Sequence, residues 1–294
     1  MSFCSREDLA SREPLAGTGV RAEAYVFLPV PKRLWASKEM NDSWASPADL
    51  AAIGAARRAG VVSRLYNPPK SAGRHPPVYV HAAEGRPEPP ALEPLLSALT
   101  ERWPIERRPG PQLAICTHGT RDRCCAKWGF AAYNTALALF RDGVSPFEPL
   151  ECSHLGGDRY AATGICFPSG SMYAHLDSVD LEGVLAGEAD GRIAPEIYRG
   201  RVYDPPLTQI VRAGLAREGL FNSATERLVV RRPDPDAPLA IATTLDGAQT
   251  FEIRLDTIEV RFFASCAKLA AHQAAAGRRL VYAGAREVAP QPAG

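Results

Sequence analysis

Two short segments concentrate the side chains that could bind a metal or move electrons. The first runs Cys116-Thr117-His118-Gly119-Thr120-Arg121-Asp122-Arg123-Cys124-Cys125-Ala126-Lys127-Trp128-Gly129, where a strand should end and a helix begin. Thiols there gain thiolate character from the aligned backbone dipoles, which suits a metal ligand as well as a redox-active cysteine. The second runs Glu151-Cys152-Ser153-His154-Leu155-Gly156-Gly157-Asp158-Arg159-Tyr160. His154 and Asp158 stand four apart, and the glycine pair between them lets the backbone fold tightly enough to aim both side chains at one point. Cys152, two residues before His154 on an expected strand, should face the same side.

Read as chemistry alone, these residues allow an iron–sulfur centre or a Cys₃His zinc site built from Cys116, Cys125, His154 and either Cys152 or Cys124. A cluster-free dithiol at Cys124 and Cys125 ranks last, because adjacent cysteines rarely make a catalytic disulfide and no Cys-x-x-Cys occurs. Arg121 and Asp122 are expected to pair and orient the cysteine loop. Arg159, Tyr160 and Lys127 suggest a docking surface, weighed against ordinary loop packing. His118 is expected at the surface or supporting the loop, and His75, His81, His175 and His272 show no partner spacing. Cys4 and Cys266 lack the spacing of metal ligands and read as small buried residues, weighed against a redox role for the two together, and Cys166 reads as core.

The elements that must position these segments follow from pattern. Ala22–Val30 reads as a strand, Pro47–Gly60 as a helix capped by Ser46, Val61–Tyr66 and Val78–Ala82 as strands, and Pro90–Leu99 as a short helix. After a proline-flanked link at Arg107–Pro111 come strand Leu113–Thr117, helix Cys125–Phe140, strands Phe147–Cys152, Arg159–Phe167 and Met172–Leu176, and helix Val179–Ala186. Strand, helix, strand, hairpin and closing helix is the order of a shortened thioredoxin-like α/β unit. Beyond Gly191 the pattern gives a helix at Leu207–Arg217 and strands at Arg227–Arg232, Ala240–Thr244, Thr250–Leu255 and Thr257–Phe263, then an alanine-rich tail. No internal repeat is evident.

Composition narrows the function classes. At 46% hydrophobic and 23% charged residues, the chain has a globular balance. Its 34 basic and 33 acidic residues leave a net charge of +1, too little for a field that would attract nucleic acid. The longest apolar stretch, Trp128–Phe140, is too short to span a bilayer, so no membrane association is expected. The N-terminus has charged residues and no apolar centre, which points to a cytoplasmic protein. Seven cysteines in a reducing compartment then favour metal or redox chemistry over a disulfide framework.

The two motifs resemble those of the sucrase/ferredoxin-like family: a Cys-x₇₋₈-Cys loop containing Arg-Asp, followed by His-x-Gly-Gly-His. Cys4-Ser5, Ser11-Arg12-Glu13-Pro14-Leu15-Ala16-Gly17-Thr18 and Ser265-Cys266 are similar to the family's terminal signatures. The resemblance implies a thioredoxin-like ferredoxin domain with a [2Fe–2S] cluster on two cysteines and two histidines. By position, Cys116 and Cys125 match the cysteine ligands and His154 the first histidine. Asp158 stands where the second histidine would be, and a carboxylate should lower the potential. The fourth ligand is left open between Asp158 and Cys152.

The expected architecture is therefore α/β: an N-terminal α/β lobe at 1–106, a thioredoxin-like ferredoxin domain at 107–190 and a C-terminal mixed, β-rich extension at 191–294. The expected function is single-electron transfer to and from protein redox partners. A cluster-dependent reductase with a substrate cleft and a structural Cys₃His zinc protein are the alternatives. No carboxylate pair supports the glycoside hydrolysis that the family's name suggests.

Overall fold

The computed structural model describes residues 2–69, 73, 76–107 and 109–289, so His75 lies outside the described residues. An N-terminal helix, α1 (Cys4–Ser11), precedes β1 (Ala24–Pro29), α2 (Pro47–Arg58), β2 (Val61–Tyr66), β3 (Val78–Ala82), α3 (Leu92–Leu99) and β4 (Ile105–Arg107). Then come β5 (Gln112–Cys116), a π-helical turn (Cys125–Gly129) running into α4 (Phe130–Arg141), β6 (Glu148–Cys152), β7 (Gly164–Phe167), β8 (Ser171–Tyr173), α5 (Leu181–Ala189), β9 (Tyr198–Arg201) and α6 (Pro206–Arg217). The chain closes with β10 (Leu228–Arg231), β11 (Leu239–Thr244), β12 (Thr250–Phe262), the short helix α7 (Cys266–Ala270) and β13 (Ala275–Val288).

The fold is α/β. β1 to β9 form one mixed sheet in the order β4-β3-β1-β2-β6-β5-β7-β8-β9, and β10 to β13 form a separate antiparallel sheet. Within the large sheet the order β6-β5-β7-β8, with β5 parallel to β6 and antiparallel to β7, is the thioredoxin-like arrangement. The first half repeats it: β1 is parallel to β2 and antiparallel to β3, and β2 meets β6 through the pair Tyr66 and Cys152. The halves diverge at their outer strands, since β4 runs parallel to β3 whereas β8 runs antiparallel to β7. This duplication carries no sequence repeat, because it resides in strand order.

Alternation along the strands sorts side chains to two faces of the sheet. Ala24, Val26 and Leu28 of β1 pack with α2 and α3, whereas Tyr25 and Phe27 turn to the other face. In β5, Leu113 and Ile115 pack toward α4 and α5, and Ala114 and Cys116 point to the same face as Tyr25. That face is curled: Phe167 of β7 lies 4.0 Å from the ring of His81 on β3 and 5.8 Å from Phe27 on β1, ring centre to ring centre. Cys116, Cys124, Cys125, Cys4 and Cys266 all join this shared core.

Several expected elements change on folding. The expected strand Arg159–Phe167 is extended only from Gly164, because Asp158–Tyr160 forms a 3₁₀ turn and the buried Arg159 guanidinium grips Glu13 through two 2.7 Å bonds. Met172–Leu176 likewise stops at Tyr173, where the chain turns through a left-handed His175. Thr250–Leu255 and Thr257–Phe263 merge into β12, with a register shift between Arg254 and Leu255. The alanine-rich tail becomes β13, held by ladder bonds along β12 that do not depend on its side chains. Among the described residues, no helix is long and apolar enough to cross a membrane.

Candidate metal centre

β5 delivers Cys116 at its C-terminal end, and the chain returns as a helix that begins beside it. Asp122 caps this helix by accepting the Cys124 N–H at 2.8 Å. The first turns are π-wound over Cys125–Gly129, a distortion common at functional sites. Gly129 is required here: a Cβ at that position would stand 2.0 Å from the Cys116 carbonyl oxygen. The missing side chain lets the helix approach the strand closely enough for Cys125 to reach Cys116.

His154 and Asp158 come from the turn after β6, bent at Gly156 and Gly157, both with positive φ. Arg199 of β9 fixes that turn, donating to the Gly156 carbonyl at 2.9 Å and to the Thr18 carbonyl at 2.7 Å. The glycine pair marked the turn in the sequence, but nothing there marked Arg199 as the residue that holds it.

The four expected donors meet as a closed ring of neighbours. Asp158 Oδ1 lies 3.0 Å from His154 Nδ1 and 3.8 Å from Cys125 Sγ, and the titration of Cys116 responds to both Cys125 and His154. The neighbouring Cys125 thiol holds Cys116 far below the usual thiol range, helped by His154, and is itself pushed far above it. Burial alone would lower the His154 pKa, but the neighbouring Asp158 carboxylate and Cys116 thiol outweigh burial and raise it to about 9. The ring passes through Asp158. Cys152 lies beside Cys116 in the strand register, its thiol pushed far up by burial and by the Cys116 charge.

The surrounding residues depart from their expected roles. Arg121 and Asp122 do not pair: Arg121 Nε lies 3.8 Å from Asp158 Oδ2, while Asp122 accepts backbone N–H groups from Cys124 and Cys266, each at 2.8 Å. Arg159 and Tyr160 cannot form a docking surface, since both are buried in a network with Glu13, whereas Lys127 is exposed. His118 is buried rather than at the surface, its Nε2 bonded to the Ala36 carbonyl at 2.9 Å. Cys166 is core, as expected.

Cys4 and Cys266 are buried, as their residue type suggested, but they also gather around Cys124. Cys4 and Cys124 sulfurs are 3.5 Å apart, Cys124 and Cys266 3.2 Å, and Cys266 and Cys4 3.7 Å. With Asp122 they form a buried group whose ligand atoms all lie within 4.8 Å of one another, a set that could hold a metal. Sequence spacing could not reveal it, because the three cysteines come from opposite ends and the middle of the chain.

The family model described as sucrase/ferredoxin-like matches residues 15–200, which include both motifs. None of the curated proteins and none of the solved structures compared with the chain matches it.

Proposed function

Because the chain belongs to the sucrase/ferredoxin-like family, we propose that Cys116, Cys125, His154 and Asp158 hold a [2Fe–2S] cluster and that the protein passes single electrons between protein partners. The supporting observation is the ring itself: a strand end, a helix start and a distant turn bring two thiols, an imidazole and a carboxylate together as neighbours. This donor set fits a binuclear iron–sulfur group, with a thiolate pair for one iron and a nitrogen–oxygen pair for the other. When bound, the group would accept and release one electron.

The chain's own residues set the conditions. Cys116 and Cys125 are buried, so the sulfur side of the site is dry. The His154 side chain keeps 20% of its surface in water, making it the exposed edge toward a partner. Asp158, harder and more negative than imidazole, holds the potential below that of a two-histidine site. Arg199 and the capped π turn hold the donors in place before any ligand binds, which limits reorganisation.

One observation favours a second reading, a reductase acting on a bound small molecule. A cavity of about 550 Å³ opens beside His154 and Arg121; Glu39 on its wall pairs with Arg64 at 3.0 Å, and Arg21, Lys38, Arg57 and Arg121 leave its lining net positive, which suits a small anion. A soluble acceptor whose reduction saturates with concentration and weakens in Arg57→Glu supports this reading; reoxidation only by protein acceptors supports the carrier.

The primary test is anaerobic purification with analysis of iron, acid-labile sulfide and the visible spectrum. The proposal expects coloured protein with iron and sulfide in equal amounts, bleached by dithionite to a paramagnetic state. Colourless protein with zinc at Cys116 and Cys125 overturns it.

A further inference from the structure

Cys4, Cys124 and Cys266 take no part in the ring at Cys116, yet with Asp122 they bring four potential ligand atoms within 4.8 Å of one another. We infer that Cys4, Cys124, Cys266 and Asp122 form a second metal site, for one zinc ion, that clamps both ends of the chain to the cysteine loop. The sulfur separations of 3.2 to 3.7 Å are the first argument. A tetrahedral ion with zinc–sulfur bonds of about 2.3 Å spaces its thiolates roughly 3.8 Å apart, whereas a disulfide needs about 2.05 Å. The trio stands at the spacing of ligands.

The second argument is how these groups are held. Asp122 accepts the Cys124 N–H on Oδ1 and the Cys266 N–H on Oδ2, which fixes the carboxylate between two of the cysteines. Each oxygen keeps a further lone pair for a cation. Arg123 and Lys127 sit over the Phe3 ring next to Cys4, placing positive charge beside a site that carries excess negative charge when its thiols ionise.

The donor chemistry selects the ion. Three soft thiolates and one carboxylate, all buried, make a closed four-ligand set of the kind that holds structural zinc. Binding releases the thiol protons to solvent, and zinc then neither gains nor loses electrons. Because Cys124 precedes Cys125, a clamp on the first cysteine also fixes the second against Cys116. Cys266 follows β12, whose far end lies in the C-terminal sheet, so the same ion ties that sheet to α1 and α4.

The test uses the full-length protein, purified without chelator, with metals counted by mass spectrometry. Cysteine alkylation is mapped peptide by peptide before and after a zinc chelator. About one zinc per chain is expected beyond any iron, with Cys4, Cys124 and Cys266 becoming reactive together on chelation and ahead of the buried Cys166. Cys266→Ala should lose the zinc and Cys116→Ser should keep it; the chelator comparison on the unaltered protein stands even where Cys266→Ala fails to fold. The inference is overturned by zinc-free protein whose three thiols react alike with and without chelator, by a Cys124–Cys266 disulfide, by iron on these three cysteines, or by zinc that leaves with Cys116→Ser. Iron-free protein that retains this zinc sustains the inference and removes the iron–sulfur reading instead.

Discussion

β1 and β5 hold equivalent places in the two halves of the large sheet, each parallel to the strand that follows its helix and antiparallel to the next. At their C-terminal ends the chain does different things. After β1 it makes the long excursion 30–46 before α2 begins, with a complete Ser46–Asp49 capping box. That excursion carries no cysteine and serves as a buttress. Lys32 bonds to Thr117 and Glu151, Trp35 packs edge-on against His118 at 5.7 Å, and the Ala36 carbonyl accepts the His118 ring. After β5 the connection 117–124 is short, and its helix starts π-wound and in contact with the strand. One plan thus yields a supporting half and a half in which strand end and helix start come within reach of a common ligand. The close approach at Gly129, more than the topology, separates them.

The largest effect should come from the donors. Cys116→Ser is expected to abolish the visible absorption and iron content, whereas Lys32→Ala in the supporting half should leave both in place and lower stability by about 1 kcal/mol through its lost hydrogen bonds. Iron analysis beside a denaturant titration checks the pair; colour retained in Cys116→Ser would remove the distinction. Asp158→His is expected to keep the cluster and raise its reduction potential, measured by protein-film voltammetry, and an unmoved potential would mean that Asp158 does not bind iron.

Next comes the close approach itself. A methyl group at Gly129 meets backbone that cannot give way, so Gly129→Ala should cost about 3 kcal/mol and loosen the donor ring. At Gly54 in the counterpart helix the nearest atom is the flexible end of Arg58 at 3.8 Å. Gly54→Ala should therefore raise stability by about 0.5–1 kcal/mol, the smallest of these effects. Equal responses from the two glycines would show that the helices are packed alike.

Between those two effects lies the seam joining the halves. His81 stacks on Phe167 and lies 2.8 Å from the Gln112 side-chain oxygen, and burial lowers its pKa from 6.5 to about 4. The folded state thus holds this ring neutral where the unfolded chain takes up a proton. Its contribution is complete above about pH 6.5 and is lost as pH falls toward 4, by up to about 3 kcal/mol, with no further change below. Denaturation midpoints between pH 7 and 4 should fall along this curve, and His81→Phe should flatten it. A slope that survives the substitution assigns the acid sensitivity elsewhere.

Much of this was legible in residue order. Val61–Tyr66 and Val78–Ala82 read as strands to the residue, because branched and aromatic side chains alternate between clear turn signals. Cys116, Cys125, His154 and Asp158 stood out because thiols flank a strand-to-helix junction and two glycines separate the other pair. β9 and α1 gave no such signal: β9 carries two arginines, both buried and bonded to distant segments, Arg199 to Thr18 and Arg201 to the Ser169 carbonyl, and α1 is polar along most of its length. Asp122 read as a partner for its neighbour Arg121, and only the arrival of Cys266 shows what it holds.

The amino-acid order alone determined the α/β class, the junction that bears the cysteines and the donor types available, since these depend on local periodicity, turn residues and side-chain chemistry. The tertiary structure decided which donors share a site. Sheet curling, the gap left by Gly129 and the grip of Arg199 on the glycine turn join Cys116 and Cys125 to His154 and Asp158, while the return of β12 brings Cys266 to Cys4 and Cys124. Such meetings depend on packing between segments far apart in the chain, and no local pattern encodes a distance of that kind.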